Sequence, residues 1–199
     1  MSFNRVRQGY TIIELMMGLA VLGVGVTGII AMQKVTVSSN QHAKNLNLAA
    51  HIAQAWQEQL AADAVAWNHP SVKNPGLDDL GNTVWLKLVS SSPNAWVQPA
   101  YDGTLLFGPG FDALGNPVSD LNSAVFCTHL RLSWLFPADK PVVGNGLLRT
   151  EVRVFWRRDG VKDTAKLCDP SASADALGKD VNTYHFVYKA SAVRQNSPI

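Results

Sequence analysis

The sequence predicts an α+β fold in which a long N-terminal helix packs on a C-terminal antiparallel β-sheet. Three observations support it: residues 10–32 are almost wholly apolar, residues 33–67 contain neither Pro nor Gly, and the last third of the chain is rich in β-branched and aromatic residues. Apolar residues at helical spacing favour a helix, and β-branched segments favour strands. At 199 residues, the chain has room for one domain of ordinary size and one membrane segment.

The apolar segment, residues 10–32, contains a single charged residue, Glu14. As a helix it is about 35 Å long, enough to cross a hydrocarbon core of about 30 Å. Arg5 and Arg7 precede it and no basic residue follows until Lys34, which places the leader in the cytoplasm and the bulk of the chain outside it. An acid within a membrane span costs about 2.5–3.5 kcal/mol, so Glu14 is predicted to be a functional residue with a partner.

Two ordinary kinds of segment explain residues 10–32 less well. A cleaved secretory signal has an apolar run of about 7–15 residues and a small-x-small cleavage site, whereas this run is longer and ends in Gly-Ile-Ile-Ala at residues 28–31. A plain signal anchor fits the length and the flanking charges, but it gives no reason for Glu14.

The helix is predicted to continue through residues 33–68 as an amphipathic segment that faces the sheet of the same subunit. Its apolar or small positions follow spacings of three and four, at Leu46, Ala49, Ala53, Trp56, Leu60, Ala64 and Trp67. The helix is expected to end at Asn68-His69-Pro70, because Pro restricts the residue before it and Asn suits a C-terminal cap.

Residues 69–123 are predicted to form a loop-rich connection, because six prolines interrupt them. Short strands are expected there at residues 84–89 and 104–107. Residues 124–199 are predicted to form the sheet, with a hairpin turn at Asp159-Gly160. The strand-like segments are 125–136, 148–157, 161–167 and 184–193. Four tryptophans are open to two interpretations, core or partner contact, of which core is the more common in strands: Trp85, Trp96, Trp134 and Trp156.

The two cysteines, Cys127 and Cys168, are predicted to form a disulfide, because the domain is expected to lie outside the cytoplasm. A bridge that closes a loop of about 40 residues stabilises a domain by roughly 4 kcal/mol in the chain-entropy model. Two buried free thiols are the alternative.

No known catalytic or metal-binding pattern is present in the sequence. The five histidines form no HExxH pair, a GxSxG pattern is absent, and neither cysteine belongs to a CxxC motif. Residues 112–116 loosely resemble a cation-binding loop, but the EF-hand spacing is missing and a turn is favoured. We therefore expect no enzyme activity, no cofactor and no metal site. The histidines are interpreted as structural or surface residues: His42, His51, His69, His129 and His185.

The basic excess of the chain lies entirely in its first nine residues. Arg5 and Arg7 are two of the 17 basic residues, no acid accompanies them, and the remainder holds 15 basic and 15 acidic residues. A neutral body whose one basic pair is Arg157-Arg158 disfavours a nucleic-acid binder, which gains affinity by neutralising phosphates. No nucleic-acid partner is expected.

The segment around Glu14 has a specific pattern, which is RQGYTIIELM at residues 7–16 after a short basic leader. This pattern resembles the class III signal of type IV pilins and pseudopilins, in which the leader ends in Gly, an aromatic residue follows, and a Glu lies four residues further on. The resemblance implies that residues 1–9 are removed by a prepilin peptidase, which cuts between Gly9 and Tyr10 and methylates the new amino group of Tyr10. Tyr10 stands where the family more commonly has Phe.

The resemblance also implies a role for Glu14 in assembly. Cleavage creates a positive amino group at Tyr10, and in the family picture Glu14 of an incoming subunit pairs with the terminal amine of a neighbouring pilin or minor pilin. This pairing offsets the cost of two poorly solvated charges and sets the axial register. The glycines of the apolar helix favour either close packing between helices or a weak point at which the helix unwinds: Gly18, Gly23, Gly25 and Gly28.

The resulting hypothesis is a minor pilin that primes or caps a type IV pilus near its tip and supports an adhesin there. Residues 19–33 and 149–156 resemble, more weakly, the minor pilins of the V type. The expected location is the bacterial inner membrane, with a single pass, a cytoplasmic N-terminus and a periplasmic C-terminal domain, and then the pilus. One alternative is a minor pseudopilin of a type II secretion system. Another, of a different class, is a membrane-anchored periplasmic binding module or enzyme.

Overall fold

The computed structural model describes five parts of the chain, which are residues 9–67, 80–136, 146–158, 167–169 and 174–195. The chain divides into two compact units, Met1–Ala43 and Lys44–Ile199. The first unit holds the beginning of one long helix, and the second holds the rest of that helix and a β-sheet. The α+β prediction is confirmed.

The long helix, α1, comprises 56 residues, Ile12–Trp67. In the first unit every described residue is exposed. Within the described residues, α1 is the one helix long and apolar enough to cross a membrane, and none of its apolar window is buried inside the chain. The side chains that make this part of the helix hydrophobic therefore have no cover among the described residues.

In the second unit α1 supplies one wall of the main hydrophobic core. The buried residues of the helix recur at spacings of three and four, at Ala49, Ile52, Ala53, Trp56, Leu60, Asp63, Ala64 and Trp67. Trp56 is fully buried, and its ring centre lies 4.7 Å from that of Phe107 and 5.3 Å from that of Trp85. The helix also hydrogen-bonds the sheet, because Gln57 Oε1 accepts from the Thr150 hydroxyl at 2.7 Å.

The sheet has six antiparallel strands in the order β3-β2-β4-β5-β6, with β1 paired to β4. Three strands of 11 residues form its body, and three of two residues extend or flank it. The strands are β1 (Trp96–Val97), β2 (Gly110–Phe111), β3 (Pro117–Val118), β4 (Phe126–Phe136), β5 (Leu147–Arg157) and β6 (Tyr184–Arg194). Two short helices, α2 (Leu88–Ser91) and α3 (Ala174–Lys179), and one turn of 3-10 helix (Leu80–Asn82) complete the described elements.

Alternate residues of the long strands lie on opposite faces of the sheet. The face toward α1 carries apolar side chains such as Leu130 and Val152, which belong to the main core. The other face, called here the outer face, carries a smaller buried cluster around Cys127 and Phe155 at one end. Toward the other end of β5 it carries Glu151 and Arg149.

The expected strand at residues 84–89 is wrong, because these residues form a turn that leads into α2. The Asp63 carboxylate of α1 accepts the backbone N–H groups of Val84, Trp85 and Leu86 at 2.7, 2.8 and 3.0 Å. Those donors are therefore unavailable for a strand ladder. The partner acid lies about twenty residues away along the chain, out of reach of a local pattern.

The expected strand at residues 104–107 is also wrong, since a tight turn takes its place. The Asp102 carboxylate accepts the N–H groups of Thr104 and Leu105, both at 2.8 Å, and Leu106 has a positive φ of 50°. The predicted hairpin turn at residues 159–160 and most of the segment 161–167 lie outside the described residues, while Leu167 itself lies in a turn.

Candidate functional site

The junction between Gly9 and Tyr10 lies before the helix, in a stretch without regular secondary structure. The Tyr10 side chain is 87% exposed, and a Cβ placed on Gly9 would meet nothing within 4 Å. A non-helical, exposed peptide bond is the kind of site that a peptidase can reach. Because the described residues leave open space at Gly9, any requirement for glycine at this position is expected to come from a partner that binds there.

Thr11 fixes the point at which α1 begins. The Glu14 N–H donates to Thr11 Oγ1 at 3.3 Å, and the Leu15 N–H donates to the Thr11 carbonyl at 3.2 Å. This is the N-cap half of a capping box, in which a Thr stands three residues before a Glu. The cap was missed at the sequence level, although the T-x-x-E spacing at residues 11–14 signals it.

The Glu14 carboxylate lies in the first turn of α1, where the helix dipole favours an acid. Within the described residues it has no hydrogen bond or ion pair, and all residues from 9 to 44 are exposed. Apart from Glu14, no residue from Tyr10 to Gln33 is charged. A counter-charge for this carboxylate must therefore come from outside the described chain.

The structure pairs Cys127 with Cys168 in a disulfide, as predicted. Both cysteines are buried, and they lie among Phe155, Leu177 and Tyr184 in the smaller cluster on the outer face. The bridge ties the described turn at residues 167–169 to β4. The two residues are 41 apart in sequence, so the bond closes a long loop.

A polar cluster occupies the outer face farther along β4 and β5. Glu151 is 1% exposed and accepts from Arg131 Nε at 2.6 Å and from Arg131 Nη2 at 2.8 Å. The Tyr188 hydroxyl also donates to Glu151, and Arg149 Nη2 lies 3.1 Å from it. The Arg131 guanidinium holds the pKa of Glu151 below its usual value, although burial raises it. Glu151 is therefore a buried anion that three side chains satisfy.

His129 is the one deeply buried imidazole of the described chain, at 2% exposure. Its ring packs edge-on against Phe155 at 5.3 Å, and neither ring nitrogen has a hydrogen-bond partner among the described residues. Burial, assisted by the charge of Arg153, lowers the pKa of His129 to about 4. The interpretation of His129 as structural fits this environment. Of the others, His42 and His51 are exposed, His185 packs against the Trp156 ring at 5.4 Å, and His69 lies outside the described residues.

The described residues contain no group of His, Cys, Asp and Glu that could hold a metal ion. In the loop at 112–116, the Asp112 carboxylate accepts the N–H groups of Leu114 and Asn116 at 2.8 Å and Asn116 Nδ2 at 3.2 Å. These hydrogen bonds, the Asn116 N–H first, lower the pKa of Asp112. The loop is a turn closed by its own aspartate, which is the favoured interpretation.

The four tryptophans that the sequence could assign either to the core or to a partner contact divide between core and partly exposed positions. Trp85 and Trp156 are each 2% exposed and belong to the core. Trp134 is half-buried and packs edge-on against Trp67. Trp96 lies half-buried over two guanidinium groups, with its ring centre 4.0 Å from Arg153 Cζ and 4.7 Å from Arg131 Cζ.

A family model described as the prokaryotic N-terminal methylation motif matches residues 4–30. No curated protein and no solved structure matches the chain significantly. The matched region includes Gly9, Tyr10, the Thr11 cap and Glu14. The motif implies processing by a prepilin peptidase and assembly with other pilins, and together with the apolar helix it fits anchoring in the inner membrane and then in a pilus. The chain thus carries the class III signal of type IV pilins and pseudopilins in front of a pilin-like α+β domain, which supports a structural subunit of that kind.

Proposed function

We propose that the chain is a minor pilin, which assembles into, primes or caps a type IV pilus after its leader is removed and Tyr10 is N-methylated. The observation that carries the proposal is the methylation motif at residues 4–30, which overlaps the first part of α1, where no described residue covers the apolar side chains. So large an exposed apolar surface requires lipid or other subunits. A prepilin signal supplies both in turn, the membrane first and the filament afterwards.

The assembly step rests on the charge that cleavage creates. The new amino group of Tyr10 stands one residue before the Thr11 cap, at the start of α1. Glu14 lies four residues further on and has no partner within the described chain. Because one cation and one anion lie near the same end of each mature subunit, the Glu14 carboxylate of one subunit can neutralise the amine of the next.

The proposed topology places residues 1–9 in the cytoplasm and the second unit in the periplasm. The basic leader supports this orientation. The Cys127–Cys168 disulfide supports it too, because disulfides persist in oxidising compartments such as the periplasm. A position near the pilus tip, where a minor pilin supports an adhesin, follows from the weaker resemblance of residues 19–33 and 149–156 to V-type minor pilins.

The first experiment tests processing, by intact-mass and N-terminal analysis of the protein extracted from membranes. We expect a chain that begins with N-methylated Tyr10. A Gly9→Val variant should retain the leader, and its folding should be unaffected, because Gly9 has open space around it. If the native chain extracted from membranes begins at Met1 or Ser2, the proposal loses its basis.

The second experiment tests assembly, by measuring the amount of protein in sheared pili. Glu14→Leu should abolish incorporation while insertion into the membrane stays normal. Glu58→Leu is the matched control, because Glu58 is an exposed acid of the same helix outside the apolar segment. Equal incorporation of Glu14→Leu and the native chain would contradict the assembly role.

Deletion of the whole chain distinguishes the two filament systems. Loss of surface pili and of twitching supports a minor pilin. Loss of secreted enzymes with intact pili would instead identify a minor pseudopilin of a type II secretion system.

A further inference from the structure

The outer face of the sheet places three arginines around a single glutamate. Arg131 forms a two-point contact with Glu151, and Arg149 lies 3.1 Å from the same carboxylate. Arg153, two residues further along β5, forms no ion pair and no hydrogen bond through its side chain with any described residue. The cluster therefore contains one guanidinium group without a carboxylate.

The Arg153 side chain is nevertheless held in place. It leaves β5 between His129 of β4 and Tyr188 of β6, its partners in the strand register. Its Cζ lies 4.0 Å from the Trp96 ring centre and 5.5 Å from that of Phe186. Two aromatic rings thus remove water from the guanidinium without supplying a hydrogen-bond acceptor.

The edge of the guanidinium is also confined by α3. A Cβ at Gly178 would lie 3.1 Å from Arg153 Nη1, so glycine permits this close approach. The Arg153 Nε atom is buried and has no hydrogen-bond acceptor among the described residues. Asp175 attracts the charge but forms no ion pair with it within 4.0 Å. Burial first, and then repulsion by Arg131, lower the pKa of Arg153.

This arrangement differs from an ordinary surface arginine, whose donors are satisfied by water. A guanidinium whose faces are stacked on rings and whose Nε is buried offers only its terminal amino groups to an acceptor, and a carboxylate accepts from such a charged donor more strongly than a neutral group does. A half-buried charge without a counter-ion is costly, so a carboxylate that arrives there gains more than one that meets a solvated arginine. The arginines Arg131 and Arg149 add further positive potential, of which Glu151 cancels only a part.

We propose that Arg153, stacked on Trp96 and Phe186, is a receptor for a carboxylate side chain of a neighbouring subunit. The inference rests on the proposed function, because assembly is what brings another protein surface to the outer face. The partner is identified by its chemistry as a protein surface with an exposed Asp or Glu.

The test converts the proposed ion pair into a covalent bond. An Arg153→Lys variant places a primary amine in the same site, and a water-soluble carbodiimide then joins that amine to a carboxylate in contact with it, with loss of water to the reagent. We expect an amide between residue 153 and an Asp or Glu of another subunit in sheared pili, identified by mass spectrometry of the peptides. Arg158→Lys is the matched control, because Arg158 is exposed and follows directly after β5.

A bond formed only with Asp175 of the same chain would overturn the proposal, and so would the absence of any intersubunit bond at residue 153. An Arg153→Gln variant provides a second, independent test. It should be processed at Gly9 and should fold normally, but its incorporation should fall about tenfold or more, against no change for Arg158→Gln. Normal incorporation of Arg153→Gln would contradict the receptor role and leave the pilin assignment intact, whereas failure of processing in the native chain would remove the pilin assignment itself.

Discussion

The two parts of α1 have opposite surroundings, although they belong to one continuous helix. From Ile12 to residue 43 no side chain is buried within the chain, and Leu22 and Ile29 are 63% and 57% exposed. From Lys44 to Trp67 eight residues are buried, including Trp56 at 0% exposure. The more apolar part of the helix is thus the part that the fold does not cover. Hydrophobicity by itself does not determine which residues form a core, because lipid or other subunits can provide the same cover.

The two acids that stand out on this helix show the same contrast. Glu14, in the uncovered part, has no partner for its carboxylate within the described chain. Asp63, in the covered part, is 8% exposed and accepts three backbone N–H groups. An acid whose hydrogen bonds are complete stabilises its own fold, whereas an acid without them in apolar surroundings requires a partner from elsewhere.

The largest expected effect is that of core truncation in the covered part. Trp56→Ala should lower the free energy of unfolding of the second unit by about 4 kcal/mol, because it leaves a cavity among Trp85 and Phe107. Leu22→Ala should leave this free energy unchanged, because Leu22 is 63% exposed and no described residue covers it. Urea titration of the detergent-solubilised protein, followed by limited proteolysis, measures both. A similar loss for the two variants would contradict the contrast between the two parts of α1.

The next largest effect is the difference in stability between variants of the two acids, Asp63 and Glu14. Asp63→Ala should cost about 3–4 kcal/mol, since it leaves buried N–H groups of the turn at residues 84–86 without an acceptor. Glu14→Ala should not change the unfolding of the second unit, although it should prevent assembly. The same urea titration applies, and preserved stability of Asp63→Ala would show that the carboxylate does not hold the turn.

The buried histidine predicts a dependence of stability on pH. The folded protein holds the pKa of His129 at about 4, whereas an unfolded chain has a histidine pKa of about 6.5, so the unfolded state binds more protons between these values. The free energy of unfolding should reach its full value with respect to His129 above about pH 6.5, and it should fall by up to about 3 kcal/mol as the pH drops to about 4. His129→Phe should reduce this dependence of stability on pH, whereas the control His51→Gln, at an exposed histidine, should not. An unchanged slope for His129→Phe would assign the acid sensitivity to other groups.

The smallest effect is expected from a glycine in the uncovered part. Gly25→Ala should stabilise the helix locally by up to about 1 kcal/mol, because a Cβ there meets nothing within 4 Å. Hydrogen exchange of the flanking amides should slow by about fivefold. Pilus incorporation then separates the two interpretations of the glycines. Reduced incorporation indicates close packing between subunits, and normal incorporation with slower exchange indicates a weak point of the helix.

Much of the architecture was predictable because local patterns encode it. The strand predictions at 125–136, 148–157 and 184–193 lie within one residue of β4, β5 and β6 at each end. Alternation and β-branched content are properties of a few consecutive residues, so they can be recognised without tertiary information. The failure at 84–89 has a tertiary cause, since the carboxylate of the distant Asp63 binds the backbone there. The failure at 104–107 has a local cause, because the Asp102 carboxylate accepts the N–H groups two and three residues ahead of it.

The sequence by itself determined the parts of this protein that depend on residues close together in the chain. These are the class III signal, the apolar segment with Glu14, and the order of helix and strands. Tertiary structure alone decided which residues of neighbouring strands lie opposite one another, and hence that Arg131 and Arg149 contact Glu151 whereas Arg153 does not. The physical reason is range: a motif is recognised by the spacing of consecutive residues, whereas the Arg131–Glu151 ion pair joins two strands across 20 residues and depends on their register.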